Sequence, residues 1–123
     1  MKIYIIDDDL EFAEVVSELI VRLYPRQCEI QFFTNAVQAI NAMDGEVPDL
    51  IFLDVLLDGP DGFTLLNEMQ SYPDLAKVPV VLLTSLKLDR ANLRQYGVVG
   101  VLSKTEMVPE QLNELLVKYG GDE

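Results

Sequence analysis

Histidine is absent from this chain of 123 residues, and cysteine occurs once. Without histidine, the chain cannot itself supply a histidine base, metal ligand or phosphate carrier. The lone Cys28 cannot form an internal disulfide, and the alternation of apolar and polar residues around it predicts a core-facing side chain and not a nucleophile.

Positive charge and long apolar runs are also scarce. Nine Lys and Arg face 21 Asp and Glu, a formal net charge of -12, which argues against direct nucleic-acid binding because phosphate contacts depend on Lys and Arg. No apolar run approaches the roughly 18 residues of a membrane span, and the start lacks a secretory leader pattern. We therefore expect a cytoplasmic protein without membrane insertion.

With 50% hydrophobic residues, we expect one domain over residues 1–123 with no output domain among them.

Short apolar segments bounded by turn formers predict the strands of a parallel sheet. Such runs are typical of strands buried on both faces, and here they are Lys2–Ile6, Leu50–Leu53, Val80–Leu83 and Gly100–Leu102. The segment Cys28–Phe32 alternates apolar and polar residues instead, which predicts a strand at the edge of the sheet.

Helical periodicity between and after these segments predicts five helices. Asp9 is expected to cap the first, and the helix Lys87–Tyr96 is expected to be the least firmly packed because its apolar stripe is poor. Alternating strands and helices predict an α/β fold, a doubly wound five-stranded parallel sheet of the flavodoxin-like order 2-1-3-4-5. The expected buried positions in the other four helices are Phe12, Val15, Val16, Leu19 and Leu23; Val37, Ile40 and Met43; Phe63, Leu66 and Met69; and Leu112, Leu115, Leu116 and Tyr119.

Polar residues follow the strands at one edge of this sheet. Asp7 and Asp8 follow the first strand and Asp54 the third, and these strands are neighbours in the predicted order. Two carboxylates about 5 Å apart repel by roughly 3 kcal/mol at an effective dielectric of 20, so a hard divalent cation such as Mg²⁺ is expected there. Thr84 and Lys104 bring a hydroxyl and an ammonium to the same edge. Such a site is suited to receive a phosphoryl group on the Asp54 carboxylate.

Taken together, these motifs resemble a known family. In the order in which they occur, they are Ile5-Ile6-Asp7-Asp8, Leu53-Asp54 through Asp61-Gly62, Leu83-Thr84-Ser85 and Leu102-Ser103-Lys104. With this order and spacing the chain resembles the receiver domain of two-component response regulators, of the chemotaxis-regulator type, either standing alone or cut from a longer protein. The resemblance covers essentially the whole chain.

The resemblance implies a role for each site residue. Asp54 would be the phosphoacceptor, and Asp8, Asp54 and the Leu56 carbonyl would ligate Mg²⁺. The remaining roles fall to Asp7, which would complete the acidic pocket through water, to Thr84, whose hydroxyl would turn toward the phosphoryl group, and to Lys104, which would pair with that group.

The same resemblance implies a phosphorylation-gated switch. The phosphoryl donor would be a sensor histidine kinase or a histidine phosphotransfer protein. Phosphorylation would then change binding to a downstream protein target, or to a second copy, through the surface formed by residues 87–119. The chain would not be an enzyme beyond catalysing its own phosphorylation and dephosphorylation.

The chain departs from the family pattern at three positions. Asp58 and Thr105 stand where proline is usual, and Val101 stands where many receivers have Tyr or Phe. Without proline, a cis peptide bond after Lys104 costs roughly 3 to 4 kcal/mol, so we expect a loop of different shape or a strained bond.

Two leucines bear on the lifetime of a phosphorylated state. Leu56 lies two residues past Asp54, and Leu86 lies two residues past Thr84. Both are expected to flank the phosphoryl group, and neither side chain can orient an attacking water. We therefore expect a comparatively long-lived phosphorylated state.

Two alternative functions remain open from the sequence. One is a receiver-like adaptor that signals through protein contacts without phosphorylation. The other is a haloacid-dehalogenase-like phosphatase, in which Asp7 would be the nucleophile and Asp9 the acid. That resemblance fails at Glu11, where a Thr or Val is usual, and in the lack of a late acidic pair and a cap insertion.

Overall fold

Parallel strands form one sheet in the computed structural model, which describes residues 1–24, 26–57, 59–86 and 93–119. The strand order β2-β1-β3-β4-β5 confirms the predicted doubly wound topology. β2 is an edge strand with its side chains half-buried or exposed, as its alternation predicts. The strands are β1 (Lys2–Ile6), β2 (Glu29–Phe33), β3 (Leu50–Asp54), β4 (Val80–Thr84) and β5 (Val98–Ser103).

Helices occupy the connections between these strands. Of the predicted helix Lys87–Tyr96, residues 87–92 lie outside the described residues, and Leu93–Tyr96 forms a 3-10 helix. The short helix α4 was not predicted, although proline suits its first turn. None of the helices within the described ranges is long and apolar enough to cross a membrane. The α-helices are α1 (Leu10–Leu23), α2 (Ala36–Met43), α3 (Gly62–Met69), α4 (Pro73–Ala76) and α5 (Pro109–Tyr119).

The core lies on both faces of the sheet. On one face, α1 and α5 pack on residues such as Ile5 and Phe52, and Cys28 lies half-buried against this side. On the other face, α2, α3 and α4 pack on residues such as Ile6 and Leu53. β3 and β4 are buried along their whole length, so the ends of these strands are held firmly in place.

Side-chain caps begin three of the helices. Asp9, Asn35 and Asp61 precede α1, α2 and α3, and each accepts a hydrogen bond from the backbone N–H three residues later, at 3.1, 2.9 and 2.9 Å. The expected role of Asp9 as a cap is therefore confirmed.

The buried faces of three helices differ from the predicted ones. Val15, Val37 and Phe63 were expected to be buried, but they are 50%, 52% and 39% exposed. The buried positions in α1, α2 and α3 include small residues that allow close approach to the sheet, and the prediction favoured bulky apolar side chains over these. They are Ala13, Val16 and Ile20 in α1, Ala36, Ala39 and Met43 in α2, and Gly62, Leu65, Leu66 and Met69 in α3.

Gly62 lets α3 begin directly against the end of β3. Its N–H donates to the Val55 carbonyl at 2.9 Å. A β-carbon on Gly62 would lie 2.6 Å from the Asp54 carbonyl oxygen and 3.0 Å from the Val55 α-carbon. Because both neighbours are backbone atoms, a side chain here would displace the end of the strand that carries Asp54.

Replacing Gly62 by alanine is expected to destabilise the protein by about 2 kcal/mol or more, because the backbone must move to admit the methyl group. Gly45→Ala is the matched control, since nothing lies within 4 Å of a β-carbon there. Urea unfolding of both variants and the wild type measures the difference. Equal free energies of unfolding for the two variants would contradict this packing argument.

Candidate functional site

Carboxylates from two neighbouring strands meet at one edge of the sheet. Asp7 and Asp8 directly follow β1, and Asp54 is the last residue of β3. One carboxylate oxygen of each lies within 4.8 Å of the others. Asp7 is fully buried and Asp54 is 5% exposed, whereas Asp8 is exposed. The structure thus brings together the three acids that the sequence placed at this edge.

The Lys104 ammonium lies between two of these acids. Its Nζ is 2.8 Å from Asp7 Oδ2 and 3.2 Å from Asp54 Oδ2. Asp7 Oδ2 is buried, and the Lys104 ammonium is the partner that the structure gives it among the described residues. The backbone N–H of Lys104 donates to the Thr84 carbonyl at 2.9 Å. This bond joins the residue that follows β5 to the end of β4.

Burial and charge act in opposite directions on the buried acid. Burial raises the pKa of Asp7 to about 6, although the Lys104 ammonium and a hydrogen bond from the Asp9 N–H partly offset this effect. Burial alone would lower the pKa of Lys104, but its contacts with Asp7 and Asp54 outweigh burial and raise that pKa. The site therefore favours a charged lysine and disfavours a charged Asp7.

Backbone N–H groups of two loops bind side chains at the strand ends, one binding Asp54 and the other Thr84. The Leu56 N–H donates to Asp54 Oδ1 at 3.1 Å, and the Leu56 side chain is 55% exposed. Thr84 ends β4 and is buried, and its hydroxyl accepts a hydrogen bond from the Leu86 N–H at 3.0 Å. No hydrogen bond joins Thr84 to Asp54 within the described residues. The Thr84 hydroxyl thus lies at the predicted edge but is engaged with its own loop.

The loop after Lys104 is shaped by Ser103, which belongs to a sequence motif but for whose side chain no role was predicted. The Ser103 hydroxyl accepts hydrogen bonds from the Thr105 N–H at 3.2 Å and the Glu106 N–H at 3.1 Å. No cis peptide bond occurs among the described residues, which include Lys104 and Thr105, so of the two predicted outcomes, a loop of different shape or a strained bond, the strained cis bond is not found. A serine followed by polar residues after a strand is a turn signal that could have located this loop.

The other two departures from the family pattern lie elsewhere. Val101 is half-buried in β5, where it pairs with Leu82 and packs on the core side covered by α2, α3 and α4. Asp58 lies outside the described residues.

A second contact missed from the sequence involves an aromatic ring. Lys104 Nζ lies 4.9 Å from the centroid of the Phe12 ring in the first turn of α1. Phe12 had been assigned to the buried stripe of that helix alone. An amphipathic pattern reports which side of a helix faces the core, but it does not report which neighbour the side chain meets there.

The donor set fits a hard divalent cation. Three carboxylates offer oxygen atoms within 4.8 Å of one another, and the single ammonium of Lys104 contacts only two of them. Oxygen ligands of this kind, few in number and partly open to water, suit Mg²⁺. Asp7, Asp8 and Asp54 could therefore hold the ion, and a contribution from the Leu56 carbonyl stays a prediction.

A family comparison matches nearly the whole chain. The model of the response regulator receiver domain matches residues 3–116. The chain belongs to this family. The match carries no support for the phosphatase or the adaptor alternative.

Individual relatives agree with this assignment. The chain is 25% identical over 114 residues to the probable transcriptional regulator ycf29 of Porphyra purpurea, covering 91% of this chain and 53% of that protein. It thus spans about half the length of the first curated relatives that it matches. The receiver domain of a DNA-binding response regulator from Colwellia psychrerythraea superposes with a TM-score of 0.84 at 25% identity, covering 99% of each chain. A sensor histidine kinase receiver domain from Pseudomonas aeruginosa, with magnesium coordinated in its active-site cleft, has the same fold, with a TM-score of 0.81 at 23% identity over 98% of each chain.

The raised Asp7 pKa makes stability depend on pH in the metal-free protein. The folded state holds the Asp7 proton up to about pH 6, whereas an unfolded aspartate loses it near pH 4. The stability contributed by protonation is therefore fully present below about pH 4, and it is lost as the pH rises through 6. With a chelator present, we expect the free energy of unfolding of the wild type, relative to Asp7→Asn, to increase by on the order of 1 to 3 kcal/mol between pH 7.5 and 4.5.

Chemical unfolding of both proteins across this pH range measures the effect. The Asn variant serves as the reference because every other carboxyl group titrates in both proteins. If the free energies of unfolding of the wild type and Asp7→Asn differ by the same amount at every pH, Asp7 does not carry the expected proton.

Proposed function

We propose that this receiver domain is a phosphorylation-gated signalling switch in which Asp54 accepts a phosphoryl group from a phosphohistidine. The donor would be a sensor histidine kinase or a histidine phosphotransfer protein, since the chain has no histidine of its own. One observation carries the proposal: the Asp54 carboxylate ends a buried strand with the Lys104 ammonium 3.2 Å from one oxygen and the Leu56 N–H 3.1 Å from the other. Both donors hold the carboxylate in a fixed orientation at the rim of the sheet.

The transfer itself requires few chemical groups. An Asp54 carboxylate oxygen would attack phosphorus, and the bond from phosphorus to the donor imidazole nitrogen would break. That nitrogen keeps the electron pair and takes up a proton. Because charge builds on the phosphoryl oxygens, a nearby ammonium such as Lys104 stabilises the transition state without acting as a base.

Magnesium is proposed as the cofactor of this step. Asp8, Asp54 and the Leu56 carbonyl would hold the ion, and Asp7 would complete the pocket through water. When bound, magnesium would neutralise part of the negative charge of the carboxylates and the incoming phosphoryl group. The three-carboxylate cluster supports this assignment, and so does the related receiver domain with magnesium coordinated in its active-site cleft.

Thr84 is proposed to couple phosphorylation to the surface of the protein. Its hydroxyl now accepts the Leu86 N–H at 3.0 Å. Turning that hydroxyl toward a phosphoryl group would release this hydrogen bond and so loosen the loop that follows β4. The adjacent surface over residues 87–119 would then bind a downstream protein or a second copy. Val108 and Val117, which are 47% and 62% exposed, lie within this range.

Several broader assignments complete the proposal. Residues 1–123 would form one receiver domain, with its output in other protein segments or partners. The domain would catalyse only its own phosphorylation and dephosphorylation. A cytoplasmic location stays a prediction from the sequence.

Incubation with Mg²⁺ and acetyl phosphate, followed by intact mass measurement, tests the acceptor. The wild type is expected to gain one phosphate only with Mg²⁺, and Asp54→Asn is expected to gain none because its amide is not a nucleophile. Asp74→Asn is the matched control, since Asp74 is an exposed residue in the distant helix α4, and it should gain phosphate as the wild type does. Equal phosphate gain by Asp54→Asn would refute the acceptor assignment.

The same measurement gives the lifetime of the phosphorylated state. After the donor is removed, loss of the phosphate mass is expected to take far longer than seconds. Leu56 and Leu86 are 55% and 46% exposed beside the site, and their apolar side chains cannot orient an attacking water. Loss within seconds would contradict this expectation.

A further inference from the structure

The Phe12 ring forms one wall of the space that holds the Lys104 ammonium. Nζ lies 4.9 Å from the ring centroid, within the roughly 6 Å over which a cation is attracted to the face of an aromatic ring. The Lys104 side chain is only 17% exposed. Partial removal from water strengthens this attraction, because water then competes less for the charge.

Hydrogen bonds hold the backbone segment that carries the Phe12 ring. The Asp9 N–H donates to Asp7 Oδ1 at 2.9 Å, and the Asp9 carboxylate in turn accepts the Phe12 N–H at 3.1 Å. Lys104 Nζ returns to Asp7 Oδ2 at 2.8 Å. Together with the ring contact, these bonds connect Asp7 to Asp9, Asp9 to Phe12, Phe12 to Lys104, and Lys104 back to Asp7. The helix cap therefore places the Phe12 backbone close to the buried acid, and the ring extends from there to Lys104.

We propose that Phe12 is a positioning residue for Lys104, and that its ring face keeps the ammonium beside Asp7 and Asp54. This role rests on the proposed function of Lys104 as the cation that pairs with the phosphoryl group. When that group arrives, the ammonium must shift from the Asp54 oxygen to a phosphoryl oxygen. A ring face permits such a shift, because its attraction is spread over the face and does not point along one bond.

A simple packing role makes a different prediction. Phe12 is half-buried and packs on the core side covered by α1 and α5. If packing were its only role, a leucine or methionine of similar volume would serve equally well. If the ring face matters, the site requires an aromatic residue.

Ring-current shifts test the contact without requiring phosphorylation. In ¹³C-edited NMR spectra, the ε-methylene protons of Lys104 are expected to resonate upfield in the wild type. This shift should be lost in Phe12→Leu and kept in Phe32→Leu. The latter is the matched control, because Phe32 lies in the edge strand β2 and is 41% exposed. An unchanged Lys104 resonance in Phe12→Leu would overturn the proposal.

Phosphorylation rates with acetyl phosphate and saturating Mg²⁺ test the role. Phe12→Leu and Phe12→Met are expected to react roughly threefold to tenfold more slowly than the wild type, whereas Phe12→Tyr, Phe12→Trp and Phe32→Leu should stay close to it. Circular dichroism shows which variants fold, and Phe12→Met provides a second test if Phe12→Leu does not. Wild-type rates in the folded non-aromatic variants would overturn the positioning role. Failure of the wild type itself to take phosphate would instead refute the proposed function. The ring-current measurement would then be the remaining test of the contact between Phe12 and Lys104.

Discussion

Repulsion among carboxylates at the ends of β1 and β3 is the constraint on which the rest of the structure depends. Three acids lie with oxygens within 4.8 Å of one another, and the Lys104 ammonium contacts two of them. Each pair of carboxylates at about 5 Å costs roughly 3 kcal/mol at an effective dielectric of 20. Asp54 belongs to a fully buried strand and Asp7 directly follows another, so they cannot separate without disrupting the sheet. The Lys104 ammonium offsets part of this cost, and packing on both faces of the sheet must offset the rest.

The same constraint explains how the site can respond to a ligand. Carboxylates held together by the sheet form an oxygen-rich pocket, so the proposed divalent ion would find its ligands already placed. The Lys104 ammonium contacts Asp7 and Asp54 and lies 4.9 Å from the centroid of the Phe12 ring. The Thr84 hydroxyl is engaged with the Leu86 N–H, and this bond links the site to the loop that leads toward the proposed output surface. In the proposed switch, this hydrogen bond would be the first contact at the site to change on phosphorylation.

The topology and the main site could be predicted because they depend on the order of residues along the chain. Apolar runs ending in Asp7, Asp54, Thr84 and Lys104 place those residues at one sheet edge once the strands are parallel. The contacts beyond that edge depend on three-dimensional neighbours and were missed. The Phe12 ring reaches Lys104 across 92 positions of sequence, and no periodicity reports such a pairing.

Local geometry accounts for the remaining differences. Val15, Val37 and Phe63 were assigned to buried faces by their size, but the helices approach the sheet through smaller residues. Hydrophobicity alone could not decide whether the bulky or the smaller apolar residues of each helix face the sheet. The turn at Ser103 arises from a side chain that accepts two backbone N–H groups, a local preference that competes with the strand and helix patterns used for the prediction.

Thermal unfolding with and without Mg²⁺ tests most directly whether carboxylate repulsion dominates this site. The wild type and Asp8→Asn are the proteins to compare, because Asp8 is the exposed acid and its loss leaves the buried packing unchanged. The account predicts that Asp8→Asn melts at a higher temperature than the wild type without metal. It also predicts that Mg²⁺ raises the melting temperature of the wild type far more than that of the variant. Equal melting temperatures without metal, or an equal response of both proteins to Mg²⁺, would contradict it.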